Sequence, residues 1–174
     1  MSIYDPNEDW FKKWLRLEPH VMIGGDDDPY LKRWLVLPRN KFPINIYLHK
    51  FCRSDDDRAL HDHPWPWWSF LLKGGYTEHT KTGSQRRKRF SLVHRPADFA
   101  HRVELDSYSW STDASKWPGD ATVQEKPAWT LFITGKKQRE WGFHCPKGWL
   151  HWEKFTEGGT PTDARNSVGC GELS

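Results

Sequence analysis

The segment HDHPWPWW, residues 61–68, sets two histidines one residue apart and follows them with three tryptophans. In an extended strand residues i and i+2 point to the same face. His61 and His63 can therefore aim two imidazoles at one point. Neutral imidazole is the commonest protein ligand for transition metals. Two ligands seldom suffice, and a third candidate is His101, which opens a later strand in HRPADFAHRVEL, residues 94–105. The other histidine of that segment, His94, ends the preceding strand. An isolated H-x-H is a weak signal, because histidines also satisfy core hydrogen bonds. With a third ligand it becomes a mononuclear centre, able to polarise a substrate or to activate oxygen or water.

Other residues group around this candidate. Trp65, Trp67 and Trp68 would shape an apolar pocket beside the histidines. Tyr76, on a central strand, could donate a proton there or simply pack. Arg58 follows the run Asp55-Asp56-Asp57 and has two roles open to it: an ion pair with that run, or an anion anchor at the pocket mouth. Asp62 should point away from the two ligands, toward a surface or loop hydrogen bond. Glu78 and Glu104 could serve as a fourth ligand or a base, but strand carboxylates more often face solvent. His144 and Cys145 in WGFHCPKGW offer only two ligand types where structural zinc wants four, so a packed strand and turn is the better reading. That segment could still fold over the pocket and bring Trp141, Trp149 or Trp152 to a substrate. The run QRRKR, residues 85–89, is the best basic patch. It sits where a hairpin tip belongs, and it makes a small electrostatic footprint for a nucleic acid.

The elements that must position these residues are mostly strands. From residue 31 onward, short runs rich in β-branched and aromatic residues are bounded by Gly, Pro, Asp or Asn. They span residues 31–37, 44–51, 67–72, 76–80, 89–94, 100–105, 128–134 and 149–154. The pattern predicts an all-β sandwich, barrel or jelly roll. Gly74-Gly75 marks a tight turn or kink, and residues 81–88 and 107–126 read as loops. One helix precedes the strands: Asp5 as cap, Pro6 in the first turn, Glu8 completing a capping box. Trp10, Trp14 and Leu17, with Phe11 and Leu15 alongside, give it one apolar face, and Pro19 ends it. The expected organisation is a helical lead-in over residues 1–30, a barrel over 31–160 and a weakly ordered tail over 161–174.

Composition bounds the rest. The chain has 174 residues, 28% of them charged and 36% hydrophobic, which fits one globular domain. No apolar run approaches the roughly 20 residues of a membrane span, and the N-terminal MSIYDPNEDWFKK lacks a signal core. Cys52, Cys145 and Cys170, odd in number and widely spaced, argue against a disulfide framework and for a reducing cytoplasm. A net charge of +3 says little about partners. The 12 tryptophans exceed what a core needs, so some should line a cleft.

The order H-x-H, apolar strand, glycine turn, basic loop, then Pro-x-x-x-x-His resembles the cupin superfamily over roughly residues 45–135. His61, His63, the strand WWSFLLK and Gly74 match its first motif. Pro96 and His101 match its second, with Asp98 where glycine is usual. Over nearly the whole chain, RALHDHPW, LLKGGY and WGFHCPKGW also resemble small cupin-like proteins of bacteria and phages. The resemblance implies a cupin double-stranded β-helix, a jelly-roll barrel with a short N-terminal helix. It further implies a divalent transition metal (iron foremost, with zinc, manganese or nickel as alternatives), a small-molecule ligand, and pairing into a homodimer. The acidic ligand of the first motif would fall near Trp67 or Trp68, and no carboxylate stands there. The three-histidine set that remains is similar to that of the thiol dioxygenase branch. The Ser-His-Tyr relay of that branch would fall on WTLFIT, where this chain has Thr130, Phe132 and Thr134.

Three functions follow. The first is a metal-dependent small-molecule enzyme, dioxygenase-like or a metal-assisted isomerase or hydrolase. The second is a non-catalytic binder of a nucleotide or sugar. The third is a nucleic-acid adaptor using the basic run.

Overall fold

Alternation of buried and exposed side chains turns most of this sequence into strands that can bury one face only by packing against a second sheet. The computed structural model describes residues 5–25, 27–55, 59–110, 122–159 and 167–171. In chain order its elements are α1 (Trp10–Leu15), β1 (Val21–Ile23), β2 (Leu31–Leu35), β3 (Asn45–Phe51), β4 (Leu60–His61) and β5 (Trp67–Lys73). Then come β6 (Tyr76–Thr80), β7 (Gly83–Arg87), β8 (Leu92–Arg95), β9 (His101–Leu105), β10 (Ser107–Trp110) and β11 (Thr122–Glu125). The last are β12 (Ala128–Thr134), β13 (Gly142–Cys145), β14 (Gly148–His151) and α2 (Trp152–Phe155).

Two six-stranded sheets result, ordered β1-β2-β3-β12-β5-β8 and β14-β13-β4-β9-β6-β7, with β10 and β11 forming a separate hairpin. The pairings are antiparallel. The sheets face one another, because one core cluster joins Leu71 and Ala128 of the first to Tyr76, Val103 and Leu105 of the second. A second cluster, Leu35, Tyr47, Trp67, Val93 and Phe132, lines the inner face of the first sheet. This is an all-β jelly roll. The chain passes from β5 in one sheet to β6 in the other through Gly74-Gly75. Gly74 has φ +80°, and a Cβ there would lie 2.6 Å from the Pro127 carbonyl oxygen, so only glycine fits.

Several expectations need correction. The helix does not begin at Pro6: the Asp5 carboxylate accepts the Asn7 N–H at 2.8 Å in a local turn. Asp9, at φ 51°, breaks continuity, and α1 starts at Trp10. Trp10 and Trp14 dock the helix by donating both indole N–H groups to the Leu35 carbonyl at 2.7 Å. Phe11, Leu15 and Leu17 instead face outward, each at least 65% exposed. Part of the presumed loop 81–88 is the edge strand β7, and the described ends of 107–126 are β10 and β11. The run at 149–154 divides into β14 and α2.

The cysteine reading also fails. Cys145 and Cys170 form a disulfide and only Cys52 is free, so the cysteines no longer argue for a reducing compartment. Of the expected tail, residues 167–171 are described. Ser167 is fully buried, and the Val168 and Gly169 N–H groups donate to the Glu157 and Phe155 carbonyls at 2.8 and 3.0 Å. No helix among the described residues is long and apolar enough to cross a membrane.

Candidate functional site

Two neighbouring strands and one turn bring the histidines together. His61 ends β4 and stands directly opposite His101, the first residue of β9. His63 lies beyond β4, and its N–H donates to the Ala97 carbonyl at 3.0 Å, within the Pro96 turn that leads into β9. Ring centroids are 5.0 Å apart for His61 and His101, 5.2 Å for His61 and His63, and 5.3 Å for His63 and His101. One ring nitrogen from each of the three lies within 4.8 Å of the others. The Nε2 atoms of His63 and His101 are 3.0 Å apart. Metal–imidazole bonds of about 2.1 Å set two ligands at a right angle about 3.0 Å apart. The closest pair therefore already has the bite of adjacent ligands on one ion, and the donor set suits a borderline transition metal.

Burial favours the neutral ring at His61 and at His63. Burial lowers His61 to about 4, against the opposing pull of Asp55. Burial holds His63 well below its ordinary value, helped by the nearby charges of His61, His101, Arg33 and His49. His101 is oriented from behind: its Nδ1 lies 3.2 Å from Glu78 Oε1. A carboxylate can only accept, so Nδ1 carries the proton and Nε2 turns its lone pair to the cluster. Glu78 is 1% exposed. Its other oxygen receives Arg87 Nη2 at 2.7 Å and Arg95 Nη2 at 2.8 Å. Burial pushes the Glu78 carboxyl up, but hydrogen bonds from His101 and Arg87 and the charge of Arg95 prevail and hold it at about 2.

The cluster borders a cavity of about 380 Å³ between the sheets. Trp65, Trp67 and Tyr76 line it, and Trp141 reaches it from the segment after β12. Burial and the Glu78 charge raise the Tyr76 phenol to about 12. Trp68 does not line the cavity: it lies on the outer face of β5, 39% exposed, stacked on His94 at 4.5 Å. Arg58 lies outside the described residues.

Asp62 does point away from the ligands, as expected, but it is no surface residue. Fully buried, it accepts from Arg139 at 2.6 Å, the Gly142 N–H at 2.8 Å, Trp149 at 3.0 Å and His144 at 3.1 Å. His144 and Trp149 are thereby spent on anchoring β13 and β14. Glu104 pairs with His79 near the surface at 2.7 Å. The basic run is no hairpin tip. Arg87 turns in to Glu78, and Arg86 pairs with Asp106.

The role of Glu78 was missed, although a signal existed. In YTEHT the alternation sets Glu78 on the same face as the core residue Tyr76. Arg33 and His49 were missed too. Alternation with Leu31 and Leu35 turns Arg33 inward on β2, and alternation with Tyr47 turns His49 inward on β3.

No protein-family model and no curated protein sequence matches the chain. Among solved structures it is similar to a cupin-2 domain protein of Rhodospirillum rubrum, with a TM-score of 0.52 and 10% identity, over 74% of this chain and 76% of that one. A sugar phosphate isomerase of the cupin superfamily from Silicibacter pomeroyi aligns over 70% of this chain and 74% of that one, at 8% identity and a TM-score of 0.46. Likeness at such identity bears on fold and not on activity. Two facing antiparallel sheets, the crossing at Gly74 and the superposition on the Rhodospirillum domain together give this chain the cupin fold.

Proposed function

We propose that His61, His63 and His101 hold one divalent transition metal ion, iron foremost, and that the protein acts on a small molecule bound beside it. The observation that carries this reading is the 3.0 Å approach of two Nε2 atoms with a third imidazole alongside. A bound ion would supply Lewis acidity toward a substrate oxygen, or activation of water or dioxygen. Glu78 fixes the His101 tautomer and ring orientation. Trp65, Trp67 and Phe132 wall the cavity and limit bulk water. The Tyr76 hydroxyl stays protonated across the physiological range and lines the same cavity as a candidate proton donor. The reaction is metal-assisted isomerisation or hydrolysis, or dioxygenase-like oxidation.

A second reading, ligand binding without turnover, draws support from Asp55. It is the one carboxylate among the described residues of the cavity wall. It is already engaged by the Val103 N–H at 2.6 Å and by the Tyr30 hydroxyl, so it makes a poor base.

Cobalt(II) titration into metal-stripped protein tests the site. The expected result is a visible d–d spectrum that saturates at one equivalent and is lost in His61→Ala and in His101→Ala. A featureless titration, or one the substitutions leave unchanged, would remove the proposal.

A further inference from the structure

The cavity wall that β2 and β3 contribute is cationic, and the cavity holds several unspent donors. Arg33 and Arg39 both line it, and neither pairs with a carboxylate among the described residues. Arg33 donates Nε–H to His49 Nε2 at 2.9 Å and lies over the Tyr47 ring at 4.8 Å. Arginine keeps its proton, so His49 Nε2 must be the acceptor. The His49 proton then sits on Nδ1, and Nδ1 is buried without a hydrogen-bond partner. His49 itself is 3% exposed.

The other cavity-lining side-chain atoms that are buried and unpartnered are Arg39 Nε, Trp65 Nε1 and Trp67 Nε1. All four atoms are donors. Buried polar groups are normally satisfied, and an orphaned one is costly. Four of one sense, beside two guanidiniums and one engaged carboxylate, call for a ligand that brings acceptors and negative charge. This wall is also close to the candidate metal centre. Phe132 stacks on His49 at 5.0 Å on one side and meets His63 at 6.0 Å on the other. One aromatic ring separates the two poles. A cavity of about 380 Å³ is at the small end for ligand sites.

We infer that the ligand is a small organic oxyanion, whose carboxylate or phosphate group is received by Arg33, with His49 Nδ1, Arg39 and the two indole N–H groups as further donors, while its other end reaches the three histidines. This names the ligand class of the site proposed above and rests on that reading for the histidine end only. The arginine end makes its own prediction. Arg33 and its tautomer-fixing bond to His49 set the preference for an anion, and Arg39 adds charge at the mouth.

Isothermal titration calorimetry on metal-stripped and metal-loaded protein tests this. Succinate and glycerol 3-phosphate are the probes, with butane-1,4-diol and glycerol as their uncharged counterparts. At least one anion should bind where its neutral counterpart does not, and which one binds names the head group. Arg33→Met should weaken that binding at least tenfold, Arg33→Lys less, and added salt should weaken it further. Arg39→Gln should weaken it several-fold, and it serves alone if circular dichroism shows Arg33→Met unfolded. Binding of neither anion, equal binding of anion and neutral counterpart, or wild-type binding by Arg33→Met and Arg39→Gln would overturn the inference. Arginine-dependent anion binding in a protein that takes up no metal would sink the metal proposal and leave this inference standing. Metal uptake without anion preference would do the reverse.

Discussion

Replacing Glu78 by glutamine keeps the shape of the side chain and removes its charge. Glu78 is 1% exposed, and the guanidiniums that share its Oε2, Arg87 and Arg95, are 12% and 19% exposed, so water screens the trio weakly. The carboxyl sits at about 2 in the folded protein against an ordinary 4.5. At about 1.4 kcal/mol per pH unit, that gap corresponds to about 3 kcal/mol of stability at neutral pH. The figure agrees with the roughly 3–5 kcal/mol lost when one partner of a buried ion pair is removed. In a chain of this size each kcal/mol moves the melting temperature by roughly 2–4 °C, so Glu78→Gln should lower it by on the order of 10 °C at pH 7.

The sign of the pH dependence follows from the lowered value. The contribution is complete above the unfolded value near 4.5 and disappears as pH falls toward about 2, so wild type and variant should converge in acid. His101 should also lose its oriented tautomer, weakening metal affinity by roughly 10–100-fold. Differential scanning calorimetry of metal-stripped protein, with competitive metal titration beside it, reads both effects. A variant melting within 2 °C of wild type at pH 7, with unaltered metal affinity, would refute the reasoning about this carboxylate.

Other outcomes follow from the same interior. His49, His61 and His63 are all held below the ordinary histidine value, by burial first. Each is neutral when folded and takes a proton when unfolded below about 6.5. Their contribution is therefore complete above that pH and is lost as pH falls toward the folded values, at about 1.4 kcal/mol per pH unit for each. Urea unfolding of metal-stripped protein should show stability falling between pH 7 and pH 5, and His49→Phe should flatten the slope; a level profile in wild type would contradict it. The disulfide spans a sequence separation of 25, which corresponds to about 3.5 kcal/mol of chain constraint. Unreduced, unfolded protein should show one reactive thiol, Cys52, and reduction should lower the melting temperature; three reactive thiols would contradict the pairing.

Much of the site was legible because two local rules coincide with the fold. The spacing of His61 and His63 places both rings on one side even though β4 ends at His61, because the Ala97 carbonyl in the Pro96 turn, outside the β4–β9 register, accepts the His63 N–H and holds the chain there. Pro96 and His101 could be joined to them only through a family resemblance, since the pairing of β4 with β9 is a non-local fact. Glu78, Arg33 and His49 were harder, because polarity argued for solvent while strand alternation argued for the interior. Burial won because each gains a partner inside: Glu78 from Arg87 and Arg95, His49 from Arg33. Trp68 shows the same rule in reverse, since its neighbour Trp67 takes the inward position and alternation sends Trp68 out. The strand β7 was invisible as a strand because its residues are small or polar, and ladder hydrogen bonds to β6 rather than side-chain burial hold it. The disulfide was hidden by parity: an odd count conceals one bridge plus one free thiol.

The most direct test of the three-histidine centre is metal content by inductively coupled plasma mass spectrometry, on protein purified without a His-tag or chelator. A His61→Ala, His101→Ala double variant is carried in parallel, its folding checked by circular dichroism. Near-stoichiometric iron, manganese, nickel or zinc in the parent, absent from the folded variant, is the expected result, and it names the ion. A parent that carries no metal even after reconstitution, or a variant that keeps the same metal, would contradict the assignment of His61, His63 and His101 as its ligands.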